Sequence, residues 1–400
     1  MTSFQSGFLS LIRAALLETE ATLPKDFSFE EAYRIAEQHQ VLPLIYYGAM
    51  SVPSFMQDPA FSLYFEKSCS YISHSANQME RLEQLFSLLE AAGVDYMPLK
   101  GTLLKGLYPS PEMRIMGDAD VLIRTEDYAA VAPVMRSLPA MPLPESDHEY
   151  TWMLPGKLVI ELHKRLIPSY NEDYYAYYGD GWRLARPVSE GSHRFEMSPE
   201  DTLIYLFTHF AKHYRDKGAG IKYVVDFFVY RRAYPELDTA YLEREMKKLC
   251  LWDFYQNVMR LVEVWFEGTP SDEKTDYMTH KIFDDGVFGK EENGIVSSGV
   301  KLSKTGGSVQ RKRKLQLLFP SYSTMCSKYP VLKNWAILLP IFWLIRIFDA
   351  LFFHKDRIRR RQNEINQMTD ENIDAYRREL NYVGLDFNFG EDDPPPDGEE

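Results

Sequence analysis

The stretch 99-LKGTLLKGLYPSPEMRIMGDADVLIR-124 decides how the chain is read. It sets two aspartates, Asp118 and Asp120, one residue apart in an apolar run, soon after Gly101 opens a short helical pattern. DADVLI alternates as a strand does, and on a strand residues i and i+2 face the same side. Asp118, Asp120 and Leu122 then share one face, and Ala119, Val121 and Ile123 the other. Carboxylates that close repel each other and resist burial unless a cation neutralises them, and hard oxygen donors at this spacing suit Mg²⁺ or Mn²⁺.

Upstream, VDYMPLK reads as a short strand and GTLLKGLY as a helix, so Lys100-Gly101-Thr102 stands where strand gives way to helix. A glycine at a helix N-terminus permits close backbone approach to an anionic phosphate. Thr102 adds a hydroxyl there, and Lys100, Lys105 and Arg114 are cations near enough in sequence to help neutralise a triphosphate. Downstream, TEDYAAVAPVMRSL reads as a helix, and 148-HEYTWMLPGKLVIELHKRL-166 as two β-runs around a Pro155-Gly156 turn. In the second run Glu161 alternates with Ile160 and Leu162, so it faces away from them with Val159 and His163. If that strand lies beside DADVLI, the three acids converge, the cluster that two-ion phosphoryl chemistry needs.

Around this core the period is helical. Residues 1–92 form an expected N-terminal helical subdomain, with Ser28 and Glu31 as a capping box and a long apolar stripe from 66 that ends at Gly93. Residues 93–190 are the expected α/β core, closed by the Tyr-rich connector 169-SYNEDYYAYYGDGW-182. Ser198 as cap, Pro199 at the first helical position and Glu200 and Asp201 in the first turn open a helical subdomain over 191–270. Residues 271–315, rich in Gly, Ser and Lys around Thr305-Gly306-Gly307, read as loop or linker, 316–385 as a C-terminal helical region, and 386–400 as a disordered acidic, proline-rich tail. The fold class is α+β: a small mixed-sheet core flanked by N-terminal and C-terminal helical subdomains.

The composition supports large cores, with 45% hydrophobic and 14% aromatic residues in 400. A formal charge of −13 argues against nucleic acid held on a broad basic surface and favours small or locally recognised substrates. Three scattered cysteines, Cys69, Cys250 and Cys326, support neither a disulfide framework nor a Cys-based metal site, and a reducing, cytoplasmic setting is expected. The N-terminus has a helical rhythm without the basic and small-residue marks of a cleaved signal.

The run L-K-G-x-x-L followed by Y-P-x-P-x-x-R-x-x-G-D-x-D resembles the uncharacterised nucleotidyltransferase family of the polymerase-β-like nucleotidyltransferase superfamily. It is carried here by Leu99, Lys100, Gly101, Leu104, Tyr108, Pro109, Pro111, Arg114, Gly117, Asp118 and Asp120. IELH at 160–163, SPEDTLIYLFTHFAKHYRDKGAGIKYVVDFF at 198–228 and YPVLKNWAILLPIFWLIRI near the C-terminus extend the likeness over about 30 to 350. The resemblance implies a nucleotidyltransferase core with Gly101 and Thr102 at the phosphate turn, Asp118 and Asp120 as metal ligands and Glu161 as the third acid. It further implies Mg²⁺ or Mn²⁺ as cofactor, an NTP, with ATP expected, as donor, and an unidentified acceptor. Two departures stand out: Gly101-Thr102 replaces the usual Gly-Gly or Gly-Ser, and Glu161 replaces an aspartate. The second keeps open an idle nucleotidyltransferase-like module that binds a nucleotide or a partner protein. The acceptor stays open among a sugar, an antibiotic, a tRNA end and a protein hydroxyl, the tRNA least favoured by the charge.

His209 and His213, at i and i+4 on one helix, are expected to line the cleft or to hydrogen-bond Asp226, against a plain packing role; no HExxH supports zinc. His163 is expected near substrate or at the sheet edge. Lys222 and Asp226 read as an ordinary helix pair. The apolar segment 331–353 is interrupted by Lys333, Pro340, Arg346 and Asp349, which makes a membrane span costly. With the basic run 354-HKDRIRRRQNE-364 behind it, it suits either an anionic membrane surface or, the preferred expectation, packing of Trp335, Phe342 and Trp343 onto the body.

Overall fold

A computed structural model describes residues 1–144, 146, 148–156, 158–169, 171–286, 291–303, 308–353 and 355–385. The tail 386–400 and the Thr305-Gly306-Gly307 segment lie outside the described residues. The chain forms two compact units, one of residues 1–212 and 219–287, the other of 213–218 and 288–387.

The first unit holds a five-stranded mixed sheet: β1 (Tyr96–Pro98), β2 (Asp118–Ile123), β3 (Met141–Pro142), β4 (Glu149–Leu154) and β5 (Leu158–His163), in the order β1-β2-β5-β4-β3. β2 and β5 run parallel with Asp120 opposite Glu161, and the remaining pairs are antiparallel. The alternation in the sequence decides which face is dry. Ala119, Val121, Ile123, Leu158, Ile160, Leu162, Trp152 and Leu154 form one core with Leu82, Leu85 and Leu89 of the helix Phe61–Ala91 and with Val131 and Met135 of the helix Tyr128–Ser137. Each such side chain contributes roughly 1.5–3 kcal/mol on burial, so a one-residue slip of β2 or β5, which would exchange this set for carboxylates, is strongly disfavoured. The opposite face therefore carries Asp118, Asp120, Glu161 and His163. A small second sheet pairs β6 (Arg186–Pro187) with β7 (Phe195–Glu196).

Two stretches differ from expectation. The Tyr-rich connector contains a helix, Glu172–Tyr178, pinned by Tyr178 Oη to Thr208 Oγ1 at 2.9 Å and by Tyr177 Oη donating to Glu245 at 2.9 Å. The consecutive residues Tyr177 and Tyr178 thus serve as packed anchors. The span 271–315 contains the helices Glu273–Asp285 and Glu291–Ser303 and most of Val309–Leu318. Asp272 and Thr275 form a reciprocal capping box that starts the first of them, and its apolar face buries Met278, Ile282 and Phe283.

In the second unit Met325, Cys326 and Leu332 form a small core with Tyr329, Leu338, Leu339, Phe342 and Trp343 packed on it. Trp343 Nε1 donates to the Pro320 carbonyl at 3.0 Å. Phe342 and Trp343 pack on this unit's own small core, whereas Trp335, expected to pack with them, is 62% exposed, because it sits between two tight turns, Pro330–Lys333 and Ala336–Leu338, that aim it outward. Among the described residues no helix is long and apolar enough to cross a membrane.

Candidate active site

The site starts from a strained turn. After β1 the chain enters the short helix Lys100–Leu104 with Lys100 at φ 46°, a left-handed conformation that costs a lysine on the order of 1 kcal/mol. From there Lys100 Nζ reaches Asp120 Oδ1 at 2.6 Å, and the Leu99 amide donates to the Asp120 carbonyl at 3.0 Å. The same Oδ1 is contacted by His163 Nε2 at 2.8 Å, and that nitrogen lies 3.6 Å from Glu161 Oε2. Burial alone would raise the pKa of Asp120; the Lys100 ammonium and the His163 hydrogen bond outweigh it and hold the carboxyl well below the usual range. Burial, then the Lys100 charge, lowers the pKa of His163, so its imidazole is neutral, donates through Nε2, and leaves Nδ1 buried without a hydrogen-bond partner among the described residues.

Glu161 has the opposite environment. Burial, then the charges of Asp118, Glu149 and Asp120, pushes its pKa up to about 8. Asp118, at the exposed start of β2, is raised by lost hydration and by Asp120. Glu149 was not anticipated from the sequence: β4 pairs Glu149 with His163 and Thr151 with Glu161, which brings a fourth carboxylate to this face. The signal was present in the alternation of EYTWML, where Trp152 and Leu154 fill the core and leave Glu149 on the other side.

Ligand atoms of Asp120, Glu161 and His163 all lie within 4.8 Å of one another. The fit of a hard dication follows from the donors. Asp120 and Glu161 supply oxygens within that cluster, while Asp118 lies outside it and acts on Glu161 through its charge; Glu161 carries a proton near neutral pH that a cation's field would expel.

The other anticipated residues are placed differently. Thr102 lies beside Met116, its Oγ1 3.8 Å from the sulfur, and its amide donates to the Leu99 carbonyl. A Cβ on Gly101 would meet Met116 Cγ at 3.2 Å, a tight contact with a flexible side chain. Lys105 is buried and donates to the Arg114 carbonyl at 2.9 Å, and burial followed by the Arg114 charge lowers its pKa to about 8. Arg114 forms a two-pronged ion pair with Asp226, at 2.7 and 2.9 Å, and Tyr108 Oη donates to the same carboxylate at 2.6 Å. Asp226 is thus bound by Arg114 and Tyr108. His209 is half-buried with its ring 6.3 Å from that of Tyr223, and His213 falls among the residues of the second unit.

Lys222 is not an ordinary helix partner of Asp226. It donates to Gln40 Oε1 at 2.8 Å, and burial, then the Arg114 charge, lowers its pKa to about 7, with Asp226, Asp118 and Asp120 acting the other way. Tyr205, whose buried hydroxyl has no hydrogen-bond partner among the described residues, senses the charges of Lys100, Asp120 and Glu161. Beside Lys100 and Tyr205 lies a cavity of about 90 Å³ lined also by Arg194, Phe195, Met197 and Thr202. Ligand pockets usually run from about 300 Å³, so this one admits a small group and not a nucleotide.

A carboxylate-bearing mixed sheet with a lysine-led turn at its edge agrees with the comparison by family. Residues 25–267 match the family described as uncharacterised nucleotidyltransferase. The chain belongs to this family. Among solved structures, the solution structure of the antibiotic-resistance factor ANT(2'')-Ia is 11% identical, with 48% of this chain and 91% of that chain covered and a TM-score of 0.25. That likeness is too slight to bear on fold or reaction. No curated protein matches the sequence.

Proposed function

We propose that this nucleotidyltransferase moves a nucleoside monophosphate from an NTP, with ATP as the expected donor, to an acceptor hydroxyl or phosphate. The acceptor oxygen bonds to the α-phosphorus, the bond from that phosphorus to the bridging oxygen of the β-phosphate breaks, and pyrophosphate leaves with the electron pair. The reading rests on one observation above all, the parallel register that sets Asp120 beside Glu161 with Lys100 on Asp120 Oδ1.

Asp118, Asp120 and Glu161 would hold Mg²⁺ or Mn²⁺, which supplies positive charge to the phosphate oxygens. Glu161 would take the acceptor's proton once a bound cation's field has removed its own, because only the ionised carboxylate can act as a base. His163 orients Asp120 through Nε2. Lys100 and Lys222 are the cations whose surroundings fit triphosphate neutralisation, while Lys105 and Arg114 position the chain around them. The core of 93–190 supplies the acids, and 191–270 supplies Lys222.

Titration calorimetry with Mg-ATP and the other nucleotides, together with label transfer from α-phosphate-labelled NTPs in cell extract, tests the reading. Wild type should bind and transfer label, and the double variant Asp118→Ala/Asp120→Ala should lose transfer by about 10²-fold or more. Transfer unchanged in that variant sinks the mechanism. Binding without transfer by wild type, under all acceptors, would instead mark a nucleotide-binding module.

A further inference from the structure

We infer that the outer face of the helix Leu339–Phe353 is a docking surface for an anionic lipid bilayer, in whose interface the helix lies. The residues involved are outside the family match at 25–267, and the inference is independent of nucleotidyl transfer.

The helix has two apolar faces with different fates. Phe342 and Trp343 point inward, Phe342 with its ring 4.8 Å from that of Tyr329 and Trp343 in an edge contact at 5.3 Å with Phe319. On the other side Ile341, Leu344 and Ile345 are 53%, 56% and 47% exposed, and Ile337, one turn ahead, is 83% exposed. Spacings of three and four put them on one stripe. Single exposed aliphatic residues are ordinary, but a stripe continued by the exposed Trp335 and Val331 is not.

Charge chooses the occupant. Residues 309–361 contain twelve Lys and Arg against two Asp and Glu, in a chain whose formal net charge is −13. The basic helix Val309–Leu318 exposes Arg311 and Lys314, and Lys328 and Lys333 are exposed on the turns between. Arg346 NH1, donating to the Leu317 carbonyl at 2.6 Å, ties the end of the basic helix to the apolar one. A second copy would bring the same positive charge to the same place and be repelled. A bilayer with anionic headgroups accepts both the aliphatic stripe and the basic segments on either side of it in the chain, and Trp335 suits the headgroup level. A span is excluded by length: 15 helical residues reach about 22 Å, short of the roughly 30 Å hydrocarbon core.

Flotation of the full chain with vesicles of phosphatidylcholine alone, or with about 30 mol% phosphatidylglycerol, reads the binding. Wild type should float with the anionic vesicles only. Ile341→Glu/Leu344→Glu should lower the bound fraction about tenfold or more, and Arg311→Glu/Lys314→Glu several-fold, with far-UV circular dichroism unchanged. Headgroup-proximal brominated lipid should quench tryptophan fluorescence of the unmodified protein, which needs no substitution. Absence of flotation and quenching overturns the inference, as does equal binding by the Ile341→Glu/Leu344→Glu variant. A doubled mass in light scattering that this variant halves, without flotation of wild type, would assign the face to a second copy and overturn it too.

Discussion

Two carboxylates in the first unit are buried against cations, and they end differently. Asp226 is closed: Arg114 grips it with two nitrogens and Tyr108 adds a third donor. Asp120 is held through one oxygen by Lys100 and His163, while Glu161 and Asp118 stand beside it with raised pKa values. Both are buried ion clusters by inspection, yet the first is balanced within the chain and the second carries excess negative potential. A closed cluster fixes structure; an open one, on the function proposed above, would have affinity left for a cation.

The sharpest way to break this contrast is Asp226→Ala, which leaves the Arg114 guanidinium buried and should cost about 3–5 kcal/mol in urea unfolding. A loss below about 1 kcal/mol would mean that the two clusters are not different in kind. Next comes Glu161→Gln in EDTA. A carboxyl whose folded pKa of about 8 exceeds its ordinary 4.5 lowers stability as pH rises between those values. The glutamine should therefore stabilise the metal-free protein by about 1–3 kcal/mol at pH 8, and the gain should vanish near pH 4.5. Mn²⁺ affinity of wild type, by calorimetry, should climb up to about tenfold per pH unit from 6 to near 8 and then level, as one proton is released, whereas Glu161→Gln should show a flatter profile. The smallest effect is expected from Gly101→Ala. Met116 is flexible and yields to the new methyl, so stability should change by less than about 1 kcal/mol and transfer should persist; a large loss of transfer alone would restore a phosphate contact to Gly101.

Much of the sheet was legible because period-2 alternation is local. DADVLI and KLVIELH each name their wet face without reference to the rest of the chain, and the α+β class follows from the change of period after Gly93. Glu149 shared that signal and was passed over beside the more conspicuous DxD. Lys222 was not legible, since Asp226 four residues on offered a ready helix partner, whereas the fold gives Asp226 to Arg114 and Lys222 to Gln40, far away in sequence. Lys105 and Arg114 look like phosphate cations because burial is invisible from spacing. The glycine and serine content of 271–315 hides its helices, although Asp272 and Thr275 carry a cap.

The parallel pairing of β2 with β5 spans a helix and a hairpin, so Asp120 meets Glu161 only after distant parts of the chain have met. Loop-closure entropy makes such long-range pairing late. A denatured or half-formed chain consequently lacks the acidic cluster, so a divalent ion held there, as proposed above, would be a selective ligand of the finished fold. Its concentration would then tune how much of the protein survives heat or proteases.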